Sequence, residues 1–224
     1  MKSIVIAIDG PAASGKSTTA KLVAARLGLF YLDTGAMYRA ISLKGLRKGI
    51  DLSDGAKVAE MTKNTKLSFK IADGEQRIIM DGEDVSADIR TPEVTAGTTP
   101  VSSQPQVRKI LVNWQQEMGK RGGVVAEGRD TTSVVFPDAD LKIYLIADIN
   151  ARAERRVLDL RKMGVVTTAE EQGKLISQRD NADAGRETSP LTKVAGAIEI
   201  DTSKLTIEQQ VQRIIDLAHE VAAV

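Results

Sequence analysis

Residues 4–17 read IVIAIDGPAASGKS, and this stretch decides the fold. The five apolar residues from Ile4 to Ile8 are typical of a strand that is buried on both faces. Gly10 to Ser17 match the pattern of a phosphate-binding loop, in which a glycine, four residues and Gly-Lys-Ser stand between a strand and a helix. The segment from Lys16 to Leu27 has the apolar pattern of that helix. The stretch therefore predicts a P-loop.

The chemistry of this loop follows from its glycines and its helix. Glycines let successive backbone amides point inward at an anion, and the helix N-terminus adds a partial positive charge. Lys16 is expected to neutralise the β- and γ-phosphates of ATP, and the Ser17 hydroxyl is expected to bind Mg²⁺. The residues expected to contact the nucleotide are Gly10, Pro11, Ala12, Ala13, Ser14, Gly15, Lys16, Ser17 and Thr18.

Further short apolar runs, separated by helical patterns, indicate the rest of the sheet. This alternation predicts an α/β protein, a three-layer P-loop fold with a five-stranded parallel sheet flanked by helices. A packing helix is expected over residues 205–222, with Thr206 and Gln209 as a capping box. The four further strands are expected at Leu29 to Leu32, Gly123 to Ala126, Leu141 to Ala147 and Ala197 to Ile200.

One segment breaks the alternation. Leu67, Phe69 and Ile71 alternate with polar residues, and Asp73-Gly74 separates them from a second apolar run that ends at Met80. This pattern predicts a β-hairpin. We expect residues 1–224 to form a single kinase domain, with a small β-containing lobe inserted at about residues 60–105 and a helical lid at about residues 152–186.

Composition excludes several kinds of chemistry and partner. Lys and Arg total 31 against 30 Asp and Glu, so there is no basic field for binding nucleic acid. Cysteine is absent and histidine occurs once, which removes thiol catalysis and zinc-type ligand sets. No apolar run is long enough to be a signal peptide or to span a membrane. A cytoplasmic protein without nucleic-acid or membrane partners is expected.

Arginine stands beside aspartate at three further places. Two of them directly follow predicted strands, and ligands in open α/β sheets bind beyond the carboxyl ends of the strands. The planar guanidinium group suits phosphate oxygens, so these clusters predict an acceptor that is already anionic. The spacing of the third cluster also fits an ion network on a helix surface. The first cluster contains Arg39, at the end of the stretch from Thr34. The second contains Arg129 with Asp130, and the third contains Arg179 with Asp183 and Arg186.

A predicted helix after the fourth strand carries Arg152, Arg155 and Arg156. A charged helix face is commonly just solvated. Phosphoryl transfer, however, needs cations around the moving group, and a mobile lid that carries arginines is one way to supply them. We interpret this helix as part of a lid.

Taken together, these motifs resemble the bacterial cytidylate kinase family over nearly the whole chain. The resemblance implies phosphoryl transfer from ATP to CMP or dCMP by a monomeric enzyme, with an enlarged monophosphate-binding lobe. The motifs that carry it, in order, are IDGP at residues 8–11, the P-loop, LDTGAMYR at 32–39, DGEDV at 81–85, IRT at 89–91, GRD at 128–130, Arg179-Asp180 and SPL at 189–191.

The resemblance also implies roles for single residues. Base recognition is implied for Thr99, Arg108 and Asp130, acceptor-phosphate binding for Arg39 and Arg129, and sugar binding for Arg179 and Asp183, supported by Arg186. Thr34 and Tyr38 are expected to line the same pocket. The residues expected to act directly in catalysis are Lys16, Arg39, Arg129, Arg155 and Arg156.

The chain departs from the family pattern at two places. Glu127 replaces an aspartate before Gly-Arg-Asp, and Thr131-Thr132-Ser133 replaces Ile or Met, Gly and Thr after it. We therefore expect the local geometry at the end of the third strand to differ from that of the family.

Two other interpretations remain open. The chain is compatible with another small-molecule P-loop kinase that acts on a different monophosphate or an anionic metabolite. A nucleotide-dependent regulatory or nucleic-acid-binding protein is the non-enzymatic alternative, and the near-neutral charge disfavours it. A guanine-nucleotide switch would need an Asn-Lys-x-Asp motif, which the sequence lacks.

Overall fold

The computed structural model describes residues 4–223. The chain divides into two compact units, one formed by the chain up to Leu32 together with Met118 onward, the other by Asp33–Glu117. In the described residues the strands are β1 (Val5–Asp9), β2 (Phe30–Asp33), β3 (Leu67–Ala72), β4 (Glu75–Met80), β5 (Glu83–Asp84), β6 (Val124–Gly128), β7 (Leu141–Ile146) and β8 (Ile198–Asp201). The helices are α1 (Lys16–Leu27), α2 (Thr34–Arg47), α3 (Gly55–Lys63), α4 (Pro92–Ser103), α5 (Pro105–Gly119), α6 (Ile149–Lys162), α7 (Ala169–Ala184) and α8 (Ile207–Ala222).

The larger sheet confirms the predicted α/β fold. Its strands lie in the order β2-β6-β1-β7-β8 and run parallel. In the central strand β1, Ile6 pairs with Val125 of β6 and with Leu141 of β7. Ile6 and Ile8 point to one face of the sheet and Ala7 to the other, and all three are fully buried, because helices cover both faces. All five strands lie within two residues of the predicted ranges.

Helices α1 and α8 pack against each other and against this sheet. Val23 of α1 and Val211 and Ile214 of α8 are fully buried in the same core. The predicted capping box of α8 is confirmed, because the Thr206 hydroxyl accepts a hydrogen bond from the backbone N–H of Gln209 and the Gln209 side-chain oxygen accepts one from the backbone N–H of Thr206. None of the helices between residues 4 and 223 is long and apolar enough to cross a membrane.

Helices α6 and α7 form an antiparallel pair in the same unit. Asp148 caps α6, and Thr168 with Glu171 forms a capping box at the start of α7. Ala153 of α6 and Ile176 of α7 are buried together with Ala12 of the phosphate loop. The two helices therefore pack directly on that loop.

The second unit contains the predicted hairpin. β3 and β4 pair antiparallel, with Phe69 opposite Ile78, and β5 adds a short third strand that the sequence pattern did not predict. The turn is made by Asp73 and Gly74, both with positive φ. Pro92 and Pro105 are the first residues of α4 and α5, where a missing N–H costs no hydrogen bond.

Candidate active site

The phosphate loop begins at a glycine that no other residue could replace. Gly10 has φ +152°, and a Cβ at this position would lie 2.1 Å from the carbonyl oxygen of Leu145 in β7. Ala13 and Gly15 also have positive φ, of 57° and 96°. The backbone therefore curls over residues 10–15, as a loop whose amides face an anion must.

Lys16 is buried at the start of α1 and folds back over the loop. Its Nζ donates to the carbonyl oxygen of Pro11 at 2.6 Å and lies 3.4 Å from Ser14 Oγ. Burial, assisted by the positive charges of Arg129 and Arg179, lowers the pKa of Lys16 to about 7. Three cations thus lie close enough together to repel one another, an arrangement suited to a highly charged anion.

A hydroxyl and a carboxylate meet beside the loop. Ser17 Oγ donates to Glu127 Oε1 at 2.7 Å, and the Tyr31 hydroxyl lies 3.3 Å from the same oxygen. Glu127 is buried at the end of β6. Hydroxyl and carboxylate oxygens are ligands that suit Mg²⁺, which needs few protein groups when phosphates supply others. The pair therefore fits the Mg²⁺-binding role expected of Ser17. Its carboxylate comes from Glu127, one of the residues at which the sequence departs from the family pattern.

The peptide groups on both sides of Ala12 are held by side chains of α6 and α7. Its N–H donates to Asp180 Oδ1 at 2.9 Å, and its carbonyl oxygen accepts from Arg152 Nη1 at 3.1 Å. Arg152 and Asp180 also form an ion pair with each other. Neither residue was among the predicted site residues. Arg152 was predicted only to lie on the lid helix with Arg155 and Arg156. Its contact with Ala12, 140 positions earlier, could not be predicted from the sequence.

The two predicted lid arginines lie differently. Arg155 donates to the carbonyl oxygen and the hydroxyl of Thr202, and that hydroxyl lies 3.0 Å from the carbonyl oxygen of Ser14. Arg156 is half-buried on α6. Arg155 is thus bonded to Thr202, which in turn contacts the phosphate loop at Ser14. Direct contact of Arg155 or Arg156 with a phosphoryl group stays a prediction.

The third arginine cluster is an ion network with Asp183 at its centre. Asp183 Oδ2 accepts from Arg129 Nε at 2.7 Å, and its other oxygen accepts from Arg186. Burial by itself would raise the pKa of Asp183, but the charges of Arg129 and Arg186 outweigh it and hold the pKa below 3.8. Arg179 is half-buried one turn earlier on α7. The network fixes the guanidinium of Arg129.

Asp130 follows Arg129 and begins a π-helical turn, Thr131–Val135. Its carbonyl oxygen accepts from the N–H groups of Val134 and Val135, at 2.9 and 3.1 Å. The residue is buried. Single π-helical turns of this kind occur often at functional sites.

In the second unit, Thr34, Tyr38 and Arg39 lie in the first turns of α2 and are buried or nearly so. Asp33 caps the helix by accepting from the N–H of Ala36 at 2.7 Å, and it also accepts from Arg39 Nη2 at 3.1 Å. Arg39 Nε is buried and has no hydrogen-bond partner among residues 4–223. A buried donor without a partner is costly, so this group is suited to an anionic ligand.

The predicted base-reading residues of this unit lie on α4 and α5. Arg108 is buried, donates to the carbonyl oxygen of Ser102 at 3.1 Å, and lies 5.4 Å from the centre of the Tyr38 ring. Such a cation over an aromatic face is attractive. Thr99 is half-buried one turn before Ser103, and its carbonyl oxygen lies 3.2 Å from Ser102 Oγ. Arg108 and Tyr38 therefore contact each other, and Arg108 and Thr99 both contact Ser102.

One supporting contact connects the loop with α8. Thr19 Oγ1 in α1 donates to Gln210 Oε1 at 2.8 Å, and a Cβ on Gly15 would lie 3.1 Å from the same oxygen. Gln210 is fully buried. The sequence pattern of α8 did not single out this glutamine.

Sequence and structure comparisons place these features among known proteins. A profile of the family described as cytidylate kinase matches residues 6–220. A cytidylate kinase of Pediococcus pentosaceus is 44% identical over 97% of this chain and 96% of its own length, and one of Bacillus cereus is 45% identical over 99% of both. A crystal structure of an uncharacterized protein from Eubacterium ventriosum has the same fold, with a TM-score of 0.54 at 12% identity, covering 96% of this chain and 98% of its own.

Proposed function

Because the chain belongs to the cytidylate kinase family, we propose that it transfers the γ-phosphoryl group of ATP to CMP or dCMP, giving ADP and CDP or dCDP. The observation that supports this most directly is the group of cations at the phosphate loop. Lys16, Arg129 and Arg179 lie within electrostatic reach of one another. Phosphoryl transfer needs positive charge around the transferred group as well as on the bound phosphates, and these three cations would supply it.

The donor side of the proposed site is the phosphate loop. Backbone amides within residues 10–18 would bind the phosphates of ATP, apart from Pro11, which has no N–H, and Ala12, whose N–H donates to Asp180. Lys16 would lie against the β- and γ-phosphates. Ser17 and Glu127 would hold Mg²⁺, which supplies positive charge to the phosphate oxygens when it is bound. The Arg152–Asp180 pair holds Ala12 and so keeps the loop in its shape.

The roles proposed for the acceptor side follow the family resemblance. We assign the acceptor phosphate to Arg39, whose buried Nε has no partner among the described residues, and to Arg129, which Asp183 fixes. The cytosine edge is assigned to Asp130, whose carboxylate can accept from the exocyclic amine, together with Arg108 and Thr99. Arg179 and Asp183 are assigned to the sugar with Arg186 in support, and Thr34 and Tyr38 to the pocket wall.

The proposed reaction is a direct in-line transfer without a covalent enzyme intermediate. The arginines and Lys16 stabilise the charge that spreads over the transferred group, while the acceptor phosphate is held in line. Lid helices α6 and α7, with Arg155 and Arg156, would exclude water during transfer. We further propose that the enzyme acts as a monomer in the cytoplasm, on the strength of the family resemblance.

The proposed function is tested by ADP release with ATP and Mg²⁺ and with CMP, dCMP, UMP, AMP and GMP offered separately. We expect CMP and dCMP to be turned over selectively. Equal turnover of all five acceptors would contradict the proposed acceptor, and turnover of AMP or GMP alone would favour a kinase for another monophosphate. Absence of any turnover would contradict the proposed activity.

The pKa of Lys16 predicts proton uptake when ATP binds. With a pKa of about 7, Lys16 is largely neutral at pH 8 in the free protein. Nearby phosphate charges favour the ammonium form and raise its pKa, so binding takes up a proton above pH 7 and takes up little at pH 6. Calorimetry of ATP binding at pH 8 in two buffers of different ionisation enthalpy should show uptake of about one proton per site.

The matched control for this measurement is Lys16→Arg, because an arginine stays charged throughout this pH range. Its ATP binding at pH 8 should show no such uptake. Identical binding enthalpies in the two buffers for the unaltered protein would contradict the low pKa of Lys16.

A further inference from the structure

One buried carboxylate connects the proposed donor loop with the proposed acceptor-binding residues. Asp9 is the last residue of β1, is fully buried, and directly precedes the phosphate loop. Its Oδ1 accepts from the N–H and the hydroxyl of Thr131, at 2.9 and 2.7 Å. Its Oδ2 accepts from the N–H and the hydroxyl of Thr132, at 2.7 and 2.6 Å. Both oxygens are therefore fully used by two consecutive residues.

Half of these hydrogen bonds come from the two threonine hydroxyl groups. Thr131 and Thr132 are buried and belong to the segment that departs from the family pattern. Hydrogen bonds to an ionised carboxylate are about twice as strong as those between neutral groups. The two hydroxyl groups thus double the number of strong contacts that hold this turn to β1.

Asp9 contacts the chain on both sides of Arg129 and Asp130. Gly128, the last residue of β6, pairs with Asp9 in the sheet, and Thr131 is bonded to the Asp9 carboxylate. Arg129 and Asp130 are the two residues between these fixed points. Their backbone is therefore fixed at both ends by Asp9, once through the sheet and once through its side chain.

We propose that Asp9, Thr131 and Thr132 form a positioning clamp, which sets the directions of Arg129 and Asp130 toward the acceptor nucleotide. The clamp rests on the proposed function, because it assigns the acceptor to these two side chains. Asp9, Thr131 and Thr132 act through Arg129 and Asp130 and do not themselves touch the substrate.

The donor loop is less dependent on the clamp, although Asp9 adjoins it. Gly10 is packed against the backbone of Leu145. Ala12 is held at its N–H by Asp180 and at its carbonyl oxygen by Arg152. Loosening the clamp should therefore disturb acceptor binding far more than ATP binding.

The test compares variants that differ in the two hydroxyl groups. Thr131→Val with Thr132→Val keeps the side-chain shape and removes both hydroxyls, whereas Thr131→Ser with Thr132→Ser keeps them. We expect the valine pair to raise KM for CMP about tenfold, with KM for ATP changed less than about twofold, and the serine pair to stay near the unaltered enzyme. Thr62→Val, which removes a buried hydroxyl bonded to Val58 in α3, controls for general loss of packing.

Each outcome has a definite meaning. A KM for CMP in the valine pair that stays within twofold of the unaltered enzyme overturns the proposal, as does an equal rise in KM for CMP and ATP. A similar rise in Thr62→Val would show a general loss of stability and would also overturn it. Absence of CMP turnover in the unaltered enzyme contradicts the proposed function instead.

Hydrogen exchange gives a result that does not depend on the acceptor. The amides of Thr131 and Thr132 donate to Asp9, so exchange across residues 129–135 should be faster in the valine pair and unchanged in the serine pair. Unchanged exchange in the valine pair would show that the hydroxyls do not hold the turn, and the clamp would be rejected even if the enzyme acts on another acceptor.

Discussion

Lys16→Met should reduce kcat about 10³-fold while leaving the protein folded. Lys16 is the only lysine whose amine lies on the phosphate loop in the described structure, bonded to the carbonyl oxygen of Pro11. Removing one preorganised positive group from a charge-developing site typically costs two to three orders of magnitude in rate. The fold should not suffer, because burial of the charged form is unfavourable and lowers the pKa of Lys16 to about 7. Methionine removes this penalty.

Steady-state kinetics with ATP and CMP measure the rate, and thermal unfolding measures the fold. Below about pH 7 the unaltered protein must bury the ammonium group, so Lys16→Met should be at least as stable there. Lys21→Met, an exposed change on the same helix, is the matched control and should keep full activity. A Lys16→Met enzyme with more than about a tenth of the original kcat would remove Lys16 from the catalytic set.

Asp183→Asn should give the second largest effect, on both stability and acceptor binding. The carboxylate is buried between Arg129 and Arg186. Removing one partner from a buried ion network leaves uncompensated charge and costs about 3 kcal/mol, which lowers Tm by roughly 6–12 °C in a protein of this size. Loss of the Arg129 contact should also raise KM for CMP at least tenfold, because the guanidinium is no longer fixed.

The pH dependence of this effect has a definite sign. The pKa of Asp183 in the folded protein is lower than its ordinary value of 3.8. The ionised carboxylate therefore stabilises the fold at pH values above that ordinary pKa. The stabilisation is lost as pH falls through the folded pKa. The difference in Tm between the unaltered protein and Asp183→Asn should therefore be constant near neutral pH and shrink in strong acid. Asp159→Asn, an exposed site in α6, is the control, and equal Tm values at pH 7 would contradict the network.

The sheet could be predicted from sequence because its strands are buried on both faces. A strand such as β1, with helices on either side, is apolar over most of its length, here from Val5 to Ile8, and such runs are short and easily recognised. The hairpin was predicted for a related reason, since β3 alternates apolar and polar residues up to the Asp73-Gly74 turn. β5 has only two polar residues, Glu83 and Asp84, and has no such pattern.

The candidate site was predicted only in part. Motifs local in sequence, such as the phosphate loop and Gly128-Arg129-Asp130, could be found because their residues are adjacent. The contacts of Ala12 with Arg152 and Asp180 could not, because nothing in a single sequence relates residues so far apart. The spacing of Arg179, Asp183 and Arg186 also fitted an ion network on a helix surface, whereas in the structure Asp183 is buried and pairs with Arg129 and Arg186.

The Thr131-Thr132 segment was expected only to alter local geometry. Its structural role became visible when Asp9 was found beside it, since a threonine in a sequence does not indicate which acceptor its hydroxyl will meet. The same holds for Glu127, whose side chain meets Ser17 rather than solvent.

The contact between Thr19 and Gln210 has a consequence for synthesis of the protein on the ribosome. The phosphate loop leaves the exit tunnel early, but β1 has no partner until β6 and β7 have been made, and Gln210 of α8 follows later still. At typical elongation rates of about 5–20 residues per second, roughly ten seconds or more pass between translation of the loop and translation of Gln210. The phosphate loop therefore reaches its native surroundings only after much later parts of the chain have been translated.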